Sequence, residues 1–280
     1  MRSLSDQVVI VTGASSGIGE ATVRRLVRAG AKVVLSARRA DRLNALAREL
    51  DATGANMLAV TADVTNEHDR QQLVSATLAK FGRIDALVNN AGYGTRGALE
   101  MVPIDAIRKN FETNVFSLLA LTQLVVPDMR IRGSGCIVMI GSVAGRIARP
   151  LSSIYDATKH ALEAFTDGLR GELQPFGVGV TLIRPGFIKT EFIAAADKAS
   201  DQFMDNIGPY APFWKDTRDG VQKLRRVAGV PDDIARLVER ALTSDNPAPR
   251  YSGPFHAKIF LLLKWLLPDR VLEWVLRLKQ

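Results

Sequence analysis

The chain of 280 residues holds a single cysteine, Cys136, which excludes an intramolecular disulfide. Set in the apolar run CIVMI, it reads as a buried and inert thiol. Histidine is nearly as scarce: His68, His160 and His256 lie far apart without ligand spacing, so no metal site is expected. No run of Lys and Arg exceeds two residues, and the basic pairs Arg24-Arg25, Arg38-Arg39 and Arg225-Arg226 are scattered. Neither a binding motif nor aromatic interleaving accompanies the charge, so no nucleic-acid partner is expected. The net charge of +8 suits an anionic membrane surface or a phosphorylated ligand instead. Long apolar runs are missing too. The N-terminus meets a glycine turn after four consecutive apolar residues, which is no secretory signal. A reducing, cytoplasmic setting is the default expectation.

What the chain does have is alternation. Short β-branched runs precede longer amphipathic segments: QVVIVTG before 17–29, AKVVLSA before 39–51, NMLAVTA before 67–81, IDALVNNAG before about 103–129, and CIVMIGS before about 153–176. VGVTLIRPG follows, and a further strand opens at Arg250. Strands this uniformly apolar are buried on both faces, as in a parallel sheet covered by helices. Right-handed crossovers then give an α/β fold with a doubly wound, Rossmann-type parallel sheet of about seven strands and helices on both faces. A (β/α)8 barrel is the rival, but the repeat count falls short. Residues 1–280 need no second domain.

The first strand ends in TGASSGIG, residues 12–19. Gly13, Gly17 and Gly19 there would let backbone approach a pyrophosphate at a helix N-terminus. The spacing is GxxxGxG and not GxGxxG, and a tight turn needing positive φ would use glycine equally. At the end of the second strand, in LSARRADRL, Ala37 stands where an acid would bond the ribose 2′-hydroxyl of NAD. Arg38 follows and can embrace a 2′-phosphate, so NADP(H) is the expected cofactor. Arg39, and Arg38 with it, could instead be solvated residues opening the next helix.

Residues 153–176 carry Ala157, Ala161, Ala164, Phe165, Gly168, Leu169 and Phe176 at helical spacing, and this small-residue face admits a homodimer or homotetramer. Tyr155 and Lys159, at i and i+4, share one face of that helix. A nearby ammonium would stabilise a phenolate and bring its pKa down from about 10, fitting the tyrosine to exchange a proton with an alcohol or a carbonyl oxygen.

With these pieces in order, the chain resembles the short-chain dehydrogenase/reductase family. The resemblance rests on TGASSGIG at 12–19, NNAG at 89–92, Asn114, Ser142, YDATK at 155–159 and PG at 185–186. It covers about two-thirds of the chain and points to the branch of hydroxysteroid and retinol dehydrogenases. It implies Tyr155 as general acid–base, Lys159 lowering its pKa and bonding the nicotinamide ribose, Ser142 orienting the substrate oxygen, and Asn114 holding a water of the proton relay. It also implies cofactor contacts at Ser15, Ser16, Ile18, Val64, Ala91, Gly92, Pro185, Gly186 and Ile188. Asp63 would face the adenine, Asn89 would lie beside the adenosine ribose, and Thr190 would reach the carboxamide. Taken singly, Ser142 reads as a loop cap, Asn114 as a satisfied polar group, Lys159 as a surface residue, and Asp63 and Thr190 as turn or cap residues.

From 187 to about 230 the alternation breaks down, and Phe192, Phe203, Met204, Tyr210, Phe213 and Trp214 appear among Gly, Pro and charges. A lid over a lipophilic substrate fits this composition, as does simple packing of an extra segment. The tail 255–280 is apolar and helical, with Trp and basic side chains but no stretch of the roughly 20 residues that span a bilayer. It could lie in a membrane interface, cover the substrate mouth or bury against a partner subunit. The expected activity is NADP(H)-dependent interconversion of a hydroxyl and a carbonyl on a steroid, retinoid or fatty alcohol. The alternatives are a 3-oxoacyl thioester reductase and, in another class, a non-catalytic NADP(H)-sensing protein.

Overall fold

The computed structural model describes residues 3–201, 203, 208–215, 220 and 227–277. Met204, Arg225, Arg226 and the last three residues of the tail lie outside the described residues. The elements run β1 (Val8–Thr12), α1 (Gly17–Arg28), β2 (Lys32–Ala37), α2 (Ala40–Leu50), β3 (Met57–Thr61), α3 (Glu67–Phe81) and β4 (Ala86–Asn89). Then come α4 (Ile104–Phe111), α5 (Ser117–Arg132), β5 (Gly135–Ile140), α6 (Ser153–Leu173), β6 (Val178–Pro185) and α7 (Phe192–Asp201). The chain continues through α8 (Pro231–Thr243), β7 (Arg250–Gly253), α9 (Phe255–Leu266) and α10 (Asp269–Arg277).

The seven strands form one sheet in the order β3-β2-β1-β4-β5-β6-β7, and every pairing is parallel. The order reverses between β1 and β4, where Val9 faces Ala86 and Val11 faces Val88. A crevice opens at the carboxyl ends of strands at such a switch point. The reason for the uniformly apolar strands is visible on both sides. Val9 and Val11 pack with Val23 and Leu26 of α1 and Ile234 and Val238 of α8. Val8 and Ile10, pointing the other way, pack with Leu73 of α3, Leu118 and Leu121 of α5, and Leu162 of α6. Period-two alternation thus serves two cores, so both faces of the central strands are mainly apolar.

The structure departs from the sequence reading at three places. The helix expected over 103–129 is α4 and α5 joined by one π-helical turn, Glu112–Phe116. Within the irregular stretch 187–230, residues 192–201 are helical as α7. Helix α8 was not anticipated; it lies along α1, and the Arg25 guanidinium bonds both Glu239 (2.5 Å) and Asp232 (3.1 Å) across that seam.

Candidate active site

The crevice above the switch point is a cleft of about 890 Å³. Its floor is the turn after β1. Gly13 (φ 64°) and Gly17 (φ 59°) sit in the left-handed region, which favours glycine. Gly19 serves close packing instead: a Cβ there would lie 2.3 Å from the Gly13 carbonyl oxygen. Asn90 cross-ties the turn, its amide donating to the Thr12 carbonyl at 2.8 Å while the Thr12 hydroxyl accepts the backbone N–H groups of Asn90 and Ala91. Helix α1 starts at this floor with its N-cap residue, Ser16, making no side-chain cap bond. An uncapped helix N-terminus at a glycine-floored turn is suited to an anionic pyrophosphate.

Ser15, Ser16, Ile18, Arg38, Asp63, Val64, Ala91, Gly92, Pro185, Gly186, Ile188 and Thr190 all line the cleft. Asn89 does not. Its side chain is fully buried and donates to the Thr122 hydroxyl of α5 at 2.9 Å. The neighbouring Asn90 takes the wall position. The expectation of Asn89 beside a ribose is therefore corrected for its side chain, because strand alternation sends Asn89 with Leu87 into the α5 layer.

The two arginines at the end of β2 also differ from expectation. Arg38 is 79 % exposed and its nearest carboxylate, Asp63, lies 3.9 Å away. Arg39, read as the more dispensable of the pair, folds back onto the turn. Its guanidinium donates to the hydroxyls of Ser15 (3.1 Å) and Ser16 (2.7 Å) and to Glu191 at 2.9 Å. Arg42 bonds the same carboxylate at 2.8 Å. Hydrogen bonds from Arg42 and Arg39 hold the Glu191 carboxyl down at about 2. Asp63 also stays below the usual carboxylate range: burial opposes this, but the Thr65 backbone N–H and hydroxyl both donate to it.

Tyr155, Ser142 and Lys159 converge on the opposite wall. Ser142 follows β5 and starts a short turn, its hydroxyl accepting the Ala144 N–H at 3.1 Å. The Tyr155 phenol is pushed up to about 12 by burial, against the pull of a hydrogen bond with Ser142 and the charge of Arg149. Lys159 is displaced down to about 8, also by burial. Its ammonium donates to the Ile140 carbonyl at 2.9 Å and lies 5.7 Å from the Tyr155 ring centroid. The expected acidification of the phenol by Lys159 is thus not found in this structure. Both groups are desolvated, and the ammonium is turned toward the end of β5.

Asn114 sits within the π-helical turn, fully buried behind the cleft wall. Its amide oxygen accepts the Tyr93 N–H at 3.0 Å, and its amide donates to the Tyr93 carbonyl (2.9 Å) and the Thr158 hydroxyl (3.2 Å). Asn114 therefore links the segment after β4 to α6, one residue from Lys159. Single π-turns inside helices recur at functional sites; here the turn swings Asn114 inward between α4 and α5. A Cβ on Gly92 would stand 3.0 Å from the Asn114 oxygen, so a side chain there would press on that crossing.

Helix α7 forms the outer rim. Phe192 packs on Tyr155 with ring centroids 5.5 Å apart, and Ile193, Ala195, Ala196 and Ala199 continue the apolar wall beside Phe187. Phe213, by contrast, is exposed. Arg149 was missed by sequence reasoning. It lines the cleft with its guanidinium held by the fully buried Asp156 at 2.8 Å. The signal that could have found it is the acid of YDATK, which needs a cation once buried. The groups present fit a nicotinamide dinucleotide: a glycine floor and uncapped helix end for a pyrophosphate, Arg38 and Arg39 beside Asp63 at one end, and Tyr155 with Ser142 at the other.

A family model described as short chain dehydrogenase matches residues 7–201. The chain is 34 % identical to an uncharacterised oxidoreductase of Bacillus subtilis over 282 aligned positions, covering 99 % of each chain. It is 35 % identical to dehydrogenase/reductase SDR family member 7B of Mus musculus, over 86 % of this chain and 74 % of that one. Among solved structures it resembles a short-chain dehydrogenase/reductase of Burkholderia phymatum in complex with NAD, with TM-score 0.82, 28 % identity and 94 % of each chain covered. It also resembles a closed-form serine dehydrogenase complexed with NADP+, with TM-score 0.73, 29 % identity and coverage of 88 % and 94 %. The seven-stranded parallel sheet, the glycine-floored cleft and the extent of these matches place the chain in the short-chain dehydrogenase family, as an oxidoreductase of that family.

Proposed function

We propose that the protein interconverts a hydroxyl and a carbonyl on a lipophilic substrate with NADP(H). The observation that carries this reading is that Tyr155 and Ser142 line the same glycine-floored cleft together, with Phe192 packed on the Tyr155 ring at 5.5 Å and Phe187 and Ile193 beside it. A bound nicotinamide supplies or accepts the hydride; the chain has to manage only the substrate oxygen and its proton. Ser142 would donate a hydrogen bond to that oxygen, stabilising the charge that grows on it in reduction. Tyr155, a protonated phenol at physiological pH, would give its proton to the same oxygen as charge grows there; burial, which raises the free phenol to about 12, makes that proton harder to lose until then. Lys159 and the Asn114 side chain, which reaches Thr158 on the next turn of α6, stand behind the phenol on the side from which a proton would be restored. Arg149, held by Asp156, favours the charged form of the phenol and so assists the reverse direction.

The preference for NADP(H) rests on Ala37 in place of an acid and on Arg38, which is exposed at the cleft wall and held only loosely by Asp63, 3.9 Å away. An arginine so placed can give charge-assisted hydrogen bonds to a 2′-phosphate. The lipophilic substrate rests on α7, whose buried side presents only apolar groups to the cleft. The test is a cofactor-coupled screen of steroid, retinoid and fatty alcohols and ketones, with 3-oxoacyl thioesters alongside and each nicotinamide in turn. The proposal expects turnover of lipophilic ketones or alcohols with NADP(H) well ahead of NAD(H). Turnover confined to acyl thioesters would replace the substrate assignment, and dinucleotide binding with no turnover of any substrate would favour the sensing role.

A further inference from the structure

Helix α9 follows β7 and is fastened to the sheet on one side only. Ala257 is fully buried, and the His256 Nε2 accepts the Phe187 N–H at 2.9 Å, fixing the helix to the segment that lines the cleft. The other side is apolar and uncovered. Phe255 is 74 % exposed, Ile259 43 %, Leu262 53 % and Leu266 57 %. These positions recur at intervals of three and four and make one stripe. Trp265, 80 % exposed, borders the stripe, and α10 extends the surface with Val271 and Trp274. Burying such an apolar surface is favourable, and leaving it in water is unusual for a monomeric chain.

Charge distinguishes among the occupants that would cover it. Lys258 lies on the exposed arc and has no carboxylate partner among the described residues. Beside Trp265 a second cavity, about 540 Å³, is lined by Arg146, Arg184, Arg250 and Lys264 together with Leu261. Glu163 pairs with Arg184 and Arg250, Asp167 with Arg250, and Asp269 with Lys264. Arg146 is exposed and has no such partner among the described residues, so the cavity keeps an excess positive charge. A second copy of this chain, itself of net charge +8, would bring positive charge against positive charge. An anionic surface would meet both the apolar stripe and the unpaired cations.

We infer that α9 and α10 form a docking face for an anionic lipid bilayer, with the α9 stripe in the acyl boundary and Lys258, Arg146 and the adjoining basic cavity at the phosphates. Helix α9 has 12 residues, and no helix among the described residues is long and apolar enough to cross a membrane. It would therefore lie along the interface. Tryptophan at its edge is suited to headgroup depth. Through His256 the face is rigidly attached to the Phe187 side of the cleft.

Sedimentation of the full chain with vesicles, without substrate, tests this. Phosphatidylglycerol vesicles should carry the protein down, phosphatidylcholine vesicles should do so much more weakly, and added salt should reduce the difference. Leu262→Asp combined with Trp265→Asp, both at exposed positions, should weaken the partitioning at least about tenfold. Arg146→Glu combined with Lys258→Glu should remove the preference for the anionic lipid while leaving the apolar stripe intact. Failure to sediment with phosphatidylglycerol vesicles would overturn the proposal, as would sedimentation unaltered by both double variants. A fall in solution mass caused by Leu262→Asp with Trp265→Asp would overturn it in favour of a second copy.

Discussion

Lys159 lies one helical turn beyond Tyr155, yet its ammonium donates to the Ile140 carbonyl at 2.9 Å and stands 5.7 Å from the Tyr155 ring centroid. The pair shares a helix face without the cation acidifying the hydroxyl. Burial dominates both groups, raising the phenol to about 12 and lowering the ammonium to about 8. The phenol carries the proton that reduction of a carbonyl needs, but burial makes it a weaker acid than a free tyrosine. Removal of a proton from an alcohol would need further positive charge near the ring, and Arg149 is the side chain already placed to contribute.

Desolvation of Lys159 gives a prediction that separates stability from turnover. Its folded-state pKa is about 8 against an ordinary 10.5, so the charged form is penalised below pH 8 and stability rises as pH climbs between those values. Lys159→Met removes that penalty at the cost of the bond to Ile140. The variant should melt no lower than the parent at pH 7, while turnover falls about 100-fold or more. Parallel melting curves and initial rates check this; a large drop in melting temperature would show that the ammonium is a structural tie.

The arginines after β2 should respond differently to removal. Arg38→Gln with Ala37→Asp should weaken NADPH binding about 10- to 100-fold and strengthen NADH binding. Arg39→Ala should weaken both dinucleotides by similar factors, because Arg39 bonds Ser15 and Ser16 of the turn they share. Fluorescence titration with each nucleotide distinguishes the two; an unchanged NADPH affinity in the first variant would refute the 2′-phosphate assignment.

His256 makes stability depend on mild acid. It accepts the Phe187 N–H only when neutral at Nε2, and burial lowers its pKa from the ordinary 6.5. The stabilisation is complete above pH 6.5 and is lost as pH falls through the folded-state value, by about 1 kcal/mol for the hydrogen bond itself. His256→Gln keeps an acceptor but cannot titrate. Melting temperatures over this range should fall for the parent and stay level for the variant; equal slopes would place the acid sensitivity elsewhere.

Most of the framework was legible because the central strands are buried on two faces, which makes apolar runs such as Val8–Val11 read as strands of a covered parallel sheet. The site residues on those strand ends followed with them. Asn114 was found by its place in a motif, but nothing in ETNVF announces the π-turn that carries it, since an i+5 bond leaves no spacing signal. The Asn89 side chain was misplaced although the alternation of β4 already puts it on the side of Leu87. Helix α8 had its own start signal in Pro231-Asp232-Asp233 and apolar positions at 234, 235, 238, 241 and 242, yet it follows an irregular stretch that breaks the repeat. The burial that sets the Tyr155 and Lys159 pKa values has no sequence signature, because it comes from Phe192 and from the ends of several strands meeting over the cleft.

The central claim, that Tyr155 passes a proton to the substrate oxygen beside Ser142, is tested most directly by Tyr155→Phe. NADPH oxidation with an active lipophilic ketone should fall about 100- to 10,000-fold while NADPH affinity stays that of the parent. Undiminished turnover in that variant would contradict the account.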